Sequence, residues 1–159
     1  MILTNAGAVL SSEDKKRLIA EKNAYFQQHN RAKLLEGIAD AIDSMKRRSM
    51  KIGLVTGTVP KNIDAVLTQD FQSEFDIIVT ANDTERGKPY GDPYLAGVRK
   101  LGVEKEVVVA IENAPAGIAS AKAAGLQCVA LKTTLTDEFL QEADLTLDDA
   151  TALADLFAL

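Results

Sequence analysis

Three short stretches carry residues whose types and positions could do chemistry. Thr56 and Gly57 follow an apolar run, and a hydroxyl beside a loop of backbone N–H groups can face an oxyanion. Lys88 stands between Gly87 and Pro89 in RGKPYGDP, a stiff loop that could hold its cation over the edge of a sheet. Glu112 and Asn113 close the apolar run Val107–Ile111 and offer oxygen ligands of the kind that hard Mg²⁺ prefers. Each has a plainer alternative. Thr56 is also a residue that caps a turn, a loop lysine is usually solvated, and Asn113 suits the cap of the helix after it.

The element that positions Glu112 and Asn113 is the run from Val107 to Leu131, VVVAIENAPAGIASAKAAGLQCVAL. Val107 to Ile111 reads as a strand buried on both faces. Pro115 suits the first turn of a helix, Ala119, Ser120, Ala121, Ala123 and Ala124 allow close packing, and Gly125 stops it before the apolar Cys128–Leu131. Strand, helix, strand is the unit of a parallel sheet, whose ligands bind beyond the carboxyl ends of the strands.

Other elements follow the same logic. Ser12 to His29 is predicted as one amphipathic helix capped by Ser11 or Ser12, and a second helix runs from about Leu35 to Ser49 on an apolar stripe from Leu34 to Met45. Strands are expected over 52–56, 76–80, 107–111 and 128–131, with a short one over 145–147. Helices are expected over 62–68, 93–101, 137–143 and 150–157, and 82–93 is a loop dense in turn formers. Met1 to Leu10 is either a four-residue strand or a ragged start. The alternation from Leu35 onward predicts a three-layer α/β fold with a parallel sheet.

Composition bounds the rest. The 159 residues suit one domain, with 47% hydrophobic and 26% charged residues and a net charge of −5, which argues against nucleic acid or an anionic membrane as partner. The single cysteine, Cys128, sits in an apolar run, so a disulfide framework is excluded and a reducing cytoplasm is the expected compartment. No apolar segment approaches bilayer-spanning length. His29, the only histidine, ends a polar helix and reads as a surface residue, far in sequence from Cys128, so a nucleophilic triad is not expected. Tyr25 with Phe26, and Tyr90 with Tyr94, are too sparse for base stacking, and Lys46, Arg47 and Arg48 read as a solvated helix end.

In order and context, LVTGTVPKNI, TANDTERGKPYGDPYLAGVRKLG and VVAIENAPAGIASAKAAGLQCVAL resemble the second, third and fourth motifs of the haloacid dehalogenase superfamily. The resemblance spans roughly residues 10–135 and is to the phosphatase and β-phosphoglucomutase-like branch. It implies a three-layer Rossmann-like core over 34–159 and a truncated helical cap remnant within 1–33, in which Ser12–Asn30 resembles the last part of the cap. Leu35-Glu36-Gly37 resembles the return hinge, with Glu36 where proline is usual. By the same resemblance Thr56 and Gly57 would bind the transferring phosphoryl group, Lys88 would neutralise its charge, and Glu112 with Asn113 would hold Mg²⁺. Asn113 stands where the family has a second acid, so the ion would be held weakly or not at all.

The family's first motif is an apolar strand ending in Asp-x-Asp, whose first aspartate attacks phosphorus. No Asp-x-Asp occurs in these 159 residues, and Asp14, the earliest aspartate, starts a polar helix without matching context. Either the chain begins inside the cap, which the helix at Ser12 favours, or Met1–Leu10 is a decayed first strand. That strand would lie between those of Thr56 and Glu112. Its position must then be met by Met1–Thr4, by repacking or by dimerisation. The implied function is a Mg²⁺-dependent phosphatase or phosphomutase type acting on a small phosphorylated metabolite, with catalysis impaired for want of the nucleophile. The alternative is a non-catalytic module binding phosphate and Mg²⁺ or a partner, including a homodimer made by exchanging N-terminal segments.

Overall fold

The computed structural model describes residues 10–157; the expectations for residues 1–9 lie outside them. The chain forms two compact units, Met1–Ala32 and Lys33–Leu159.

In the first unit, α1 spans Ser12–His29 as expected. Ser11 caps it, its hydroxyl oxygen accepting from the Asp14 N–H at 3.1 Å. Glu13 and Asp14 lie in the first turn, where the helix dipole favours negative charge. None of its residues is buried. His29 is exposed, yet it is not without a partner: its ring stacks on Tyr25 at 4.1 Å.

The second unit holds α2 (Ile38–Arg47), β1 (Gly53–Val55), α3 (Pro60–Asp64), α4 (Gln69–Gln72), β2 (Ile77–Val79) and α5 (Asp92–Leu101). β3 (Val109–Glu112), α6 (Pro115–Ala123), β4 (Gln127–Leu131), β5 (Leu145–Leu147) and α7 (Ala150–Leu156) follow. All strand pairs are parallel. β1 pairs with β2, setting Val55 beside Val79. β3 pairs with β4, setting Ile111 beside Val129, and β4 pairs with β5.

Alternation along the strands feeds two cores. Ala110, Cys128 and Ala130 pack with Tyr94 of α5 and with Ile118 and Ala121 of α6. Ile111 and Leu131 pack with Ala41, Ile42 and Met45 of α2 and with Leu153 of α7. Neighbouring strand residues thus serve opposite layers, as the period of two requires.

Several boundaries differ from expectation. α2 starts at Ile38 rather than Leu35, because Gly37 has φ +84° and breaks the turn. A Cβ on Gly37 would stand 2.6 Å from the Thr151 backbone nitrogen, so this glycine also lets α2 and α7 approach. The helix expected over 62–68 is helical only to Asp64, as part of Pro60–Asp64, and an unexpected second one, Gln69–Gln72, starts after Thr68, whose hydroxyl caps it by accepting from the Phe71 N–H at 3.2 Å. The helix expected over 137–143 is a single 3₁₀ turn, Asp137–Phe139.

The largest difference concerns the sheet. Two separate sheets form, β1-β2 and β3-β4-β5, because no strand among the described residues joins β1 to β3. The run expected to be buried on both faces therefore begins in solvent: Val107 lies in a 3₁₀ turn at 76% exposure, and Val109 at the edge of β3 is 43% exposed.

Candidate active site at the strand ends

The candidate residues collect where β1 and β3 end. Thr56 follows β1, with its N–H donating to Val79 O at 2.9 Å across to β2. Its hydroxyl oxygen accepts from the Thr58 N–H at 3.1 Å, so the turn-capping role is present, and the hydroxyl hydrogen remains available to a ligand. Gly57 faces open space, for a Cβ there would meet nothing within 4 Å.

Lys88 reaches this point from the loop after β2. Its Nζ donates to Val55 O at 3.1 Å and forms a salt bridge with Glu112 Oε1. The Lys88 side chain is 19% exposed and that of Glu112 9%. The expectation of a lysine held over the sheet's edge and the alternative of a solvated one are thus resolved by geometry, since Lys88 is tied to both strands. The loop that carries it is pinned to α6. Gly91 lies so close that a Cβ would be 2.9 Å from the Ala123 carbonyl carbon, and the Ser120 hydroxyl donates to Tyr90 O at 2.5 Å.

Glu112 is further fixed by a residue that spacing alone did not single out. The Tyr94 hydroxyl donates to Glu112 Oε1 at 2.6 Å, and Lys88 Nζ lies 5.1 Å from the centre of the Tyr94 ring. Burial pushes the Tyr94 phenol well above its usual pKa, and the charge of Glu112 adds to the shift. On its other side Glu112 packs against the first turn of α6, where a Cβ on Gly117 would sit 2.1 Å from the carboxylate. Only glycine leaves that room.

Asn113 is exposed and turns its amide to Thr133, with Nδ2 donating to Thr133 Oγ1 at 3.1 Å. Cys128 is buried and its thiol is pushed up to about 11, chiefly by burial and then by Glu112, which suits core packing rather than reactivity.

The fit for Mg²⁺ follows from this donor set. Among the described residues no group of three His, Cys, Asp or Glu side chains converges on one point. Glu112 Oε1 is already shared by Lys88 and Tyr94, and Asn113 contributes a neutral oxygen. These two residues do not by themselves complete the shell of a divalent cation.

Comparison with known proteins identifies the family to which this fold belongs. The family model of haloacid dehalogenase-like hydrolases matches residues 2–131, and the chain belongs to that family. Within it the chain is similar to validoxylamine A 7′-phosphate phosphatase of Streptomyces hygroscopicus subsp. limoneus, 35% identical over 118 residues that cover 74% of this chain and 55% of that protein. It is also similar to the phosphorylated carbohydrates phosphatase of Thermotoga maritima, 30% identical over 114 residues that cover 71% of this chain and 52% of that protein. The crystal structure of β-phosphoglucomutase from Clostridium difficile superposes with a TM-score of 0.74 at 26% identity, covering 91% of this chain and 65% of that one. The α/β fold and the kinship with the β-phosphoglucomutase-like branch are therefore as expected. The chain spans about half the length of these curated relatives. No helix among the described residues is long and apolar enough to cross a membrane.

Proposed function

We propose that this chain carries the phosphoryl-holding part of a haloacid dehalogenase-type phosphatase site for small phosphorylated carbohydrates, and that residues 1–159 by themselves bind such a group without turning it over. The observation that carries this reading is Lys88, lodged between Val55 O and Glu112 where β1 and β3 end. A cation fixed there stabilises phosphoryl oxygens without the cost of reorganising. The Thr56 hydroxyl and the N–H groups of the loop at Gly57 donate to the same oxygens. Tyr94 and Gly117 keep Glu112 in place, and Glu112 in turn orients Lys88. The carbohydrate preference rests on the names of the two relatives.

Turnover needs a carboxylate that attacks phosphorus, and no Asp-x-Asp stands in the 159 residues. Mg²⁺, when bound in such a site, screens phosphoryl charge; Glu112 and Asn113 supply only part of its shell here, so no step is assigned to it. The experiment is hydrolysis of p-nitrophenyl phosphate with Mg²⁺ by protein verified by intact mass, with Lys88→Ala as control. Equal background rates are expected for both proteins. Turnover that vanishes in the variant would mean that another residue, or a partner chain, supplies the nucleophile and that the reading is wrong.

A further inference from the structure

Asn113 and Thr133 meet in a contact that the phosphoryl site does not use. Asn113 follows β3, and Thr133 lies just beyond the end of β4, the strand that pairs with β3 in parallel. The plainer role for Asn113, the cap of α6, is not the one it takes. Ala114 holds the cap position, and the Asn113 amide goes to the end of β4 instead, with Nδ2 donating to Thr133 Oγ1 at 3.1 Å. Thr133 is held to receive it. The Lys132 N–H continues the β4–β5 pairing by donating to Leu147 O at 2.9 Å, and the Lys132 ammonium is clamped by Asp137 and Asp148 at 3.1 and 2.6 Å. The main chain leading into Thr133 is thereby fixed.

We infer that Asn113 and Thr133 together recognise hydroxyl groups on the polyol part of the ligand, beside the phosphoryl position, rather than serving a metal ion. The inference rests on the proposed phosphoryl site and names what its ligand carries next to the phosphate. Thr133, as acceptor, selects the amide orientation that turns nitrogen toward β4. One amide N–H, the carbonyl Oδ1 and the Thr133 hydroxyl hydrogen are then left for a ligand, two donors and one acceptor, all neutral. A cation gains little from such a set, since only Oδ1 offers it a lone pair without a hydrogen beside it. A second anion would meet Oδ1 and stand next to the Glu112 carboxylate, to which the Asn113 N–H donates at 3.3 Å. An alcohol both donates and accepts, so neighbouring hydroxyls satisfy the whole set. The place fits as well. Glu112, the residue before Asn113, holds Lys88, and adjacent strands lie about 4.8 Å apart, so a short polyol chain whose phosphoryl group sits on Lys88 reaches the pair.

The test is isothermal calorimetry on the full chain in EDTA with inorganic phosphate, propyl phosphate and glycerol 3-phosphate, the two esters being alike in length and charge and differing only in the hydroxyls. Glycerol 3-phosphate is expected to bind about tenfold more tightly than propyl phosphate, the worth of one or two neutral hydrogen bonds. Thr133→Val keeps the shape and removes the hydroxyl. It should bring the two esters to equal affinity while leaving that of inorganic phosphate within about twofold, and Thr133→Ser should restore the difference. Equal affinity of the wild type for the two esters would overturn the inference, as would a preference that survives Thr133→Val. A Thr133→Val variant that weakens all the probes alike would mark a merely structural role and overturn it too. So would Mg²⁺, in place of EDTA, tightening phosphate binding to the wild type and not to Asn113→Leu, for the pair would then serve the cation. Failure of the wild type to bind inorganic phosphate would take down the phosphoryl site itself, and the inference with it.

Discussion

Removing one oxygen from Tyr94 tests how the site is held together. In Tyr94→Phe the ring stays, so the packing of a residue only 8% exposed and its contact with the Lys88 ammonium at 5.1 Å are kept. What is lost is the 2.6 Å hydrogen bond from the hydroxyl to Glu112 Oε1. The acceptor is a carboxylate whose side chain is 9% exposed, so water replaces the lost donor poorly. Hydrogen bonds to charged groups are worth about 2 kcal/mol, and that loss should lower the melting temperature of a chain this size by about 6 °C. Urea denaturation read by circular dichroism gives the free energy from the midpoint at unchanged slope. The pH dependence has a definite sign. The folded phenol titrates above its unfolded value of 10.0, so stability is full below about pH 10 and falls as pH rises beyond it, when only the unfolded state ionises. The phenylalanine variant should lose that alkaline fall at this position. A variant as stable as the wild type within about 0.5 kcal/mol, with the same alkaline limb, would refute the bond to Glu112.

Three further outcomes follow from the geometry. Gly117→Ala forces a methyl group to within 2.1 Å of the Glu112 carboxylate and should cost about 2 kcal/mol in the same denaturation assay, while Ala116→Gly beside it costs less than half of that. Leu153→Ala empties a position 1% exposed where α7 packs with α2, and should destabilise by about 3 kcal/mol by the same measure. Asp83 is held down to about 2, first by its hydrogen bond from Lys100 and then by those from Thr80, so its contribution is present above its ordinary 3.8 and is lost as pH falls toward 2. Asp83→Asn should therefore flatten the acid loss of stability between about pH 4 and 2, measured by urea midpoints across that range.

How much of this could be read from the sequence depends on the range over which each feature is determined. Strand ends are local: the change from Val107–Ile111 to Glu112-Asn113 placed two site residues at a carboxyl end, and Thr56 followed from the same kind of boundary. Helix stops at Gly102 and Gly125 were legible because both take positive φ, of +64° and +78°. The Thr68 cap was legible in principle, as a hydroxyl three residues before Phe71, yet the expected helix ended at Thr68 and none was expected to start there. Tyr94 was missed for a different reason. Its spacing on α5 marks a core aromatic, which it is, and its hydroxyl becomes a site group only because β3 brings Glu112 to it from 18 positions away. The exposure of Val107 and Val109 was likewise illegible, since an apolar run reads as buried whether or not a neighbouring strand is there to cover it.

We propose that Lys88 and Thr56 hold a phosphoryl group where β1 and β3 end. Titration of the full chain with inorganic phosphate, followed by isothermal calorimetry with Lys88→Ala in parallel, tests it most directly. Saturable binding to the wild type that disappears in the variant, with both proteins folded by circular dichroism, is the predicted result. Binding of equal strength to both proteins, or none to the wild type at millimolar phosphate, would contradict it.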